Sequence, residues 1–239
     1  MRVIRFLVFG SLAWLLADGA TLAAAADSMA RGKVVGIVSV AGVTDKPKPL
    51  PVFKSRSFCG ATVANETLLV GADGRLRNAV VILRSLSGGI AAQPKKLVLD
   101  NQRCAFTPHV QVAPLGSELL LKNSDPILHT VHARLGRETL FNVGLPKWRQ
   151  VTKRLDRAGV IRIDCDVLHT WMSAVIIVTD SPYSYVSNEK GEFQFDGIPD
   201  GSYEIEIWHE RLGRQSQPIV VRDNGTTAVE VVFAVEKQR

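Results

Sequence analysis

Within eight residues, Cys165-Asp166-Val167-Leu168-His169-Thr170-Trp171-Met172, the chain sets out a thiol, an imidazole and a thioether. A site that holds one copper ion in both of its oxidation states needs this mix of soft and borderline donors: one Cys, two His in a near-trigonal plane and a weak axial Met. One loop thus supplies three of the four ligands, and the second imidazole must be brought in by folding. His129 is the candidate, in the stretch Asn123-Ser124-Asp125-Pro126-Ile127-Leu128-His129-Thr130-Val131-His132. An Asn-x-Asp turn after a strand over Glu118 to Lys122 places His129 at the start of the next strand, at the end that the Cys165 loop can reach. Past the first residues the only methionines are Met29 and Met172, so Met172 is not drawn from an abundance.

The other histidines carry weaker signals. His132, three residues beyond His129, falls on the opposite face of a strand and joins the ligands only if that segment turns. His109 follows Pro108 beside Cys104. It reads either as a hydrogen-bonded structural histidine or as a further metal ligand. His209, between Trp208 and Glu210, reads as structural. Trp171, between two ligands, is placed to pack over the site and exclude water.

The elements that must position these side chains are short, rich in Val and Ile, and bounded by Gly, Pro, Asn or Asp. They include Val34 to Val40, Ala79 to Leu83, Leu97 to Asp100, Leu119 to Leu121, Val160 to Ile163, Ala174 to Thr179, Tyr203 to Trp208 and Val229 to Ala234. Strands at this spacing predict an antiparallel all-β fold of the sandwich or barrel kind. Only Trp148 to Leu155 has room for one or two helical turns. Turn chemistry at Asp180-Ser181-Pro182 marks a boundary, beyond which turn, short strand, tight turn and alternating strand describe a second, small β-sandwich.

The N-terminus carries Arg2 and Arg5, an apolar run from Phe6 to Leu16, and small residues ending Ala24-Ala25-Ala26. This is the pattern of a secretory signal peptide over 1–26, too short to span a bilayer. The expectation is a periplasmic or secreted protein with no stable membrane insertion. The chain has 29 Lys and Arg against 23 Asp and Glu, a net charge of +6, and losing Arg2, Arg5 and Asp18 with the leader lowers it by one. Apart from Lys147, Arg149, Lys153, Arg154 and Arg157, the charge is dispersed, which points to acidic protein surfaces rather than nucleic acid. No Ser-His-Asp order, carboxylate pair or phosphate-binding glycine loop suggests an enzyme.

Two resemblances extend this reading. The residues Phe106-Thr107-Pro108, Gly116-Ser117-Glu118, Lys122-Asn123, His129, Cys165, His169 and Met172 resemble the plastocyanin-type cupredoxins, over roughly Leu97 to Thr179. The resemblance implies type 1 copper held by His129, Cys165, His169 and Met172, and electron transfer to a redox partner protein such as a cytochrome or an oxidase. The spacing Cys-x3-His-x2-Met is similar to the second half of the binuclear copper loop of cytochrome oxidase subunit II. That loop has a further Cys where Ile161 stands here, so the departure argues for one copper. The stretch that holds Asn188-Glu189-Lys190-Gly191, Phe193-Gln194-Phe195, Ile198-Pro199-Asp200-Gly201 and Tyr203 to Trp208 resembles the carboxypeptidase regulatory-like (transthyretin-like) module. The expected architecture is a cupredoxin-like Greek-key β-sandwich over 27–180 followed by a small prealbumin-like β-sandwich over 181–239.

If Cys165 is the thiolate ligand, Cys59 and Cys104 form a disulfide. A loop of that size contributes about 4 kcal/mol in the chain-entropy description. The alternative is that Cys165 pairs with Cys59 or Cys104, or is simply a buried thiol. The competing functions are copper binding and delivery with the same ligands, a non-metal interaction or carbohydrate-binding β-sandwich protein, and a copper redox enzyme with an open position should Met172 not coordinate.

Overall fold

The computed structural model describes residues 31–42, 47–87, 92–222 and 224–234. The expected leader over 1–26 lies outside them. The described chain is all-β, with one four-residue helical turn, α1 (Arg56–Cys59), and one short 3-10 turn. Its strands are β1 (Arg31–Ala41), β2 (Leu50–Pro51), β3 (Thr62–Val63), β4 (Val80–Ser85), β5 (Lys96–Gln102), β6 (Ala105–Thr107), β7 (Val110–Pro114), β8 (Ser117–Asn123), β9 (His129–Leu135), β10 (Glu138–Leu145), β11 (Gln150–Leu155), β12 (Gly159–Asp164), β13 (Ser173–Thr179), β14 (Tyr183–Val186), β15 (Glu192–Pro199), β16 (Gly201–His209), β17 (Gly213–Val221) and β18 (Thr226–Ala234). Each stretch read as a strand from its Val and Ile content lies in one, save that Ala79 just precedes β4. The stretch from Trp148 to Leu155 is not helical: after a turn it forms β11, where exposed Thr152 and Arg154 alternate with Val151 and the buried Leu155, the period-2 signature of a strand.

The strands make two sandwiches. In the first, a five-stranded sheet in the order β10-β9-β12-β13-β7 faces a four-stranded sheet in the order β11-β8-β5-β6. Between them lie Leu97, Leu99, Phe106, Leu119, Leu121, Val131, Ile161, Ile163 and Ile176, with Cys165, Trp171 and Met172 in the same apolar cluster. In the second, β15-β1-β18 faces β14-β4-β16-β17 around Val34, Val38, Leu83, Phe193, Ile205 and Phe233.

This pairing corrects the linear division at residue 180. β1 pairs antiparallel with β15 and parallel with β18, and β4 pairs with β14 and β16. The second sandwich therefore draws two of its strands from ahead of the first, and the chain from Lys96 to Thr179 is placed between β4 and β14. The physical reason is burial. The segment Val80-Val81-Ile82-Leu83 is apolar at every position, and a strand of that kind needs cover on both faces. Val81 and Leu83 face the core of the second sandwich, whereas Val80 and Ile82 pack against Val110, Val112, Val175 and Ile177 of the first. β13 is buried on both faces for the same reason. Gly36 lets β1 pack closely, since a Cβ there would collide with the ring of Phe193 and the carbonyl of Val229.

A chain ending at Asp180 is accordingly expected to strip the partners from β1 and β4 and to expose apolar surface. Binding of a hydrophobic dye and a lowered urea midpoint would report it. A truncated chain that unfolds cooperatively at the full-length midpoint would refute this partition.

Candidate metal centre

Antiparallel register brings the site together. β12 pairs with β9 so that Asp164 stands opposite His132 and Ile163 opposite Ala133. Cys165, the next residue, is carried toward the start of β9, where His129 is the first residue of its strand. Alternation along β9 sends His129, Val131 and Ala133 to the buried face. The loop from Cys165 then turns back, with the Met172 amide donating to the His169 carbonyl at 2.8 Å, and enters β13. Leu168, at the tip of this turn, holds a left-handed φ of 66° and is exposed.

Three donors converge. The Nδ1 atoms of His129 and His169 lie 3.1 Å apart, and Cys165 Sγ is 3.9 Å from the first and 3.8 Å from the second. Among the described residues they form a group that could hold a metal ion. All are buried, with His129 at 0 %, His169 at 2 % and Cys165 at 4 % exposure. Met172 is buried in the same apolar cluster, and the ring of Trp171 stands 5.0 Å from that of His169.

The outward nitrogens explain why the inward ones are available. His129 Nε2–H donates to Asp125 at 3.0 Å, and His169 Nε2 lies 3.3 Å from the Ser55 hydroxyl. Each imidazole is thereby oriented with Nδ1 toward the thiol, the arrangement by which ligating histidines are held. Asp125 is itself fixed by the two backbone amides of the β5–β6 turn, Arg103 N–H at 2.7 Å and Cys104 N–H at 2.8 Å. Both turn residues have positive φ, as a two-residue hairpin turn that matches strand twist requires. Cys104 also forms a disulfide with Cys59 and accepts a hydrogen bond at its carbonyl from Trp171 Nε1–H at 3.0 Å. The segment from Leu50 to Val63, which carries Ser55, is thus tied over His169.

The electrostatics suit a metal site. Burial alone would raise the Cys165 thiol, but hydrogen bonds from His129, from the Thr130 and Val167 amides and from the Thr130 hydroxyl bring it below its ordinary value. Burial would lower His129, and the Asp125 hydrogen bond with the charges of Cys165 and Asp125 outweighs it, raising its pKa. His169 is pushed down to about 4 by burial and by the positive charges of His129 and Lys54. The surroundings thus favour the proton on His129, leave His169 neutral and incline the thiol to ionise. Metal ligation would require neutral imidazoles and a thiolate.

The remaining residues fall elsewhere. His132 points to the other face of β9, with Nδ1 2.9 Å from Asp166 and Nε2 2.8 Å from the Thr139 hydroxyl. His109 bonds the Ser173 carbonyl and Glu210, and His209 is buried in the second sandwich. The sequence reading did not single out Ser55, Thr130 or the carboxylate of Asp125 as parts of the site. Of these only Asp125 carried a signal, the Asn-x-Asp turn, in which Asn123 Oδ1 accepts the Asp125 amide at 3.0 Å.

Two buried imidazoles and a buried thiol, brought together at one end of an all-β sandwich, could hold a metal ion. No family model matches the chain, and no curated protein matches it. Among solved structures it is similar to the copper-containing nitrite reductase of Thermus scotoductus SA-01, with 19% identity, a TM-score of 0.33, and 38% of this chain and 24% of that one covered. It is similar to a purple cupredoxin from Nitrosopumilus maritimus, with 18% identity, a TM-score of 0.31, and 36% and 99% covered. It is also similar to amicyanin from Paracoccus versutus, with 14% identity, a TM-score of 0.31, and 42% and 97% covered. The chain spans about a quarter of the nitrite reductase. At these scores the likeness carries nothing further, and the chemistry of the site rests on its own residues. Among the described residues no helix is long and apolar enough to cross a membrane.

In the metal-free protein the His129–Asp125 pair makes stability depend on pH. The Asp125 pKa is depressed below 3.8: burial opposes this, but hydrogen bonds from His129 and the turn amides prevail. Its contribution is present above 3.8 and lost as pH falls through the lower folded value. The His129 pKa is raised above 6.5, so its contribution is full below 6.5 and lost as pH rises through the higher folded value. Asp125→Asn is therefore expected to lower the melting temperature most between about pH 4 and 6.5, and progressively less above that window. A melting-temperature difference that is flat from pH 4 to 9 would contradict the pairing.

Proposed function

We propose that this chain is an exported mononuclear copper protein of the cupredoxin type, and that it carries electrons. The observation that supports it above all is the convergence of Cys165 Sγ with the Nδ1 atoms of His129 and His169 in a site closed to water. In this reading His129, Cys165 and His169 are the strong ligands, and Met172, buried on the same loop, is the weak axial one. The donor set fits copper better than zinc, because a lone thiolate, two imidazoles and a thioether serve a metal that alternates between Cu(I) and Cu(II).

Bound copper would supply a one-electron couple. The chain supplies a ligand set that does not move. Asp125 and Ser55 fix the two imidazoles, Thr130 holds the sulfur through its amide at 3.4 Å, and the Cys59–Cys104 disulfide with the Trp171–Cys104 bond ties down the cover. Rigid ligands keep reorganisation small, and small reorganisation is what an electron carrier requires. Burial of every donor favours a retained metal over one that is delivered.

A disulfide agrees with an oxidising compartment outside the cytoplasm, as the N-terminal pattern suggests. The partner is a redox protein, of which a cytochrome or an oxidase is the simplest choice. The exposed Leu128 and Leu168 flank the two histidines, and the turn carrying Lys147, Trp148 and Arg149 lies against Asn123 beside them. An apolar face with a basic rim suits an acidic partner surface.

The test is the optical and spin-resonance spectrum of the protein loaded with Cu(II), beside Cys165→Ser. Intense visible absorption from thiolate to copper, abolished in the variant, is expected. A colourless protein, or one whose spectrum ignores Cys165, would overturn the reading.

A further inference from the structure

The junction of the two sandwiches holds a buried polar assembly that none of the ligand chemistry uses. His109, just ahead of β7, is 8 % exposed, and Glu210, in the turn between β16 and β17, is 9 % exposed at its side chain. His109 Nε2 makes a short hydrogen bond to the Glu210 carboxylate, and His109 Nδ1 lies 2.9 Å from the Ser173 carbonyl. The Ser173 carbonyl can only accept, so Nδ1 carries a proton, and Nε2 faces the Glu210 carboxylate. Burial would lower the His109 pKa, but Glu210, with smaller contributions from Glu66 and Ser173, raises it. Neighbouring His209 is pushed down to about 4 by burial and by the charges of His109 and Arg211, and stays neutral.

Ser173 is covalently joined to Met172. Residue 109 grips this exit of the ligand loop twice: its ring holds the Ser173 carbonyl, and its own carbonyl accepts the Val175 amide at 2.8 Å. The loop's other ligands are secured within the first sandwich and its cover. Met172 is different, since its long side chain has three rotatable bonds and its sulfur would make the weakest bond to the metal. Where that sulfur sits depends on the backbone at 172–173, which is the part that His109 holds.

We propose that His109 and Glu210 are positioning residues for Met172, so that a carboxylate of the second sandwich sets the axial side of the metal site in the first. This rests on the copper reading above. The second sandwich then has a role in tuning the site, and a partner or ligand that moved the β16–β17 turn would change the potential without touching the copper lobe.

The experiment compares Glu210→Gln, which keeps size and removes charge, and Glu210→Ala with the parent protein, using Glu230→Gln at an exposed position of β18 as the control. All are loaded with Cu(II), and the reduction potential, spin-resonance spectrum and visible band ratio are measured. The Glu210 variants are expected to retain Cys165-dependent absorption while shifting the equilibrium constant for reduction by about threefold or more, which is about 30 mV for a one-electron couple. A second readout needs no metal: peroxide oxidation of Met172, followed by mass spectrometry in the metal-free proteins, is expected to run several-fold faster in both Glu210 variants than in the parent and the control. Variants whose potential, spectrum and Met172 oxidation all match the parent would overturn the positioning role and leave the copper reading standing. A parent with no Cys165-dependent absorption would overturn the copper reading, and the positioning role with it.

Discussion

A single buried carboxylate organises the end of the first sandwich. Asp125 is 3 % exposed, and a charge in such a place is tolerated only when its lone pairs are filled by good donors. It accepts from the amides of Arg103 and Cys104 and from His129. The first two bonds lock a hairpin turn whose residues both hold a strained left-handed φ, and the third selects which nitrogen of His129 faces inward. Through Cys104 the same turn reaches the disulfide to Cys59 and the indole of Trp171. The hairpin, the histidine, the cover over His169 and the ligand loop thus share one anchor, and none of them could shift without leaving a buried polar group unpaired.

The scale of the architecture follows from a different constraint, that of strands with two apolar faces. β4 and β13 read Val-Val-Ile-Leu and Ala-Val-Ile-Ile-Val at their centres, with no polar position to offer water. Each is satisfied only by a layer on either side, and the two sandwiches provide this for each other by stacking β4 on β7 and β13. The same stacking brings the β16–β17 turn over the exit of the ligand loop, so that the contact between Glu210 and His109 is a consequence of the burial that joins the two cores.

Much of this was legible in the amino-acid sequence because it is local. The period-2 pattern of β16, the turn residues around Asn123 and the Cys-x3-His-x2-Met spacing are written in neighbouring residues; the strands stand where those patterns put them, and His129, Cys165 and His169 lie close together. What was not legible depends on pairing across long separations. Nothing in Val34 to Val40 says that its partners lie some 160 residues further on, at β15, so a linear boundary at Asp180 was drawn through what proves to be one sheet system. Ser55 is 114 residues from His169, and Glu210 is 101 residues from His109. A serine in a loop and a glutamate in a turn carry no pattern of their own; only the folded chain gives them something to hold. The stretch after Trp148 failed for a different reason, since its charged residues mask the alternation of Val151, Lys153 and Leu155 that makes it an edge strand.

The two ends of the ligand loop are therefore held by different means. At Cys165 the loop begins from a strand paired on both sides, and the sulfur receives the amide and hydroxyl of Thr130 from β9, so its place is fixed by sheet register. Changing it would mean slipping β12 against β9, which would turn every side chain of the strand to the wrong face. Past Met172 the loop ends at Ser173, whose carbonyl is held by the His109 ring and, behind that, by a carboxylate from another sandwich. Register is all or none, whereas an ion pair responds to charge, solvent and small movements of either partner. A scaffold built in this way fixes the Cys165 thiol and the two imidazoles by register and buried hydrogen bonds, and leaves Met172 beside a contact that answers to charge.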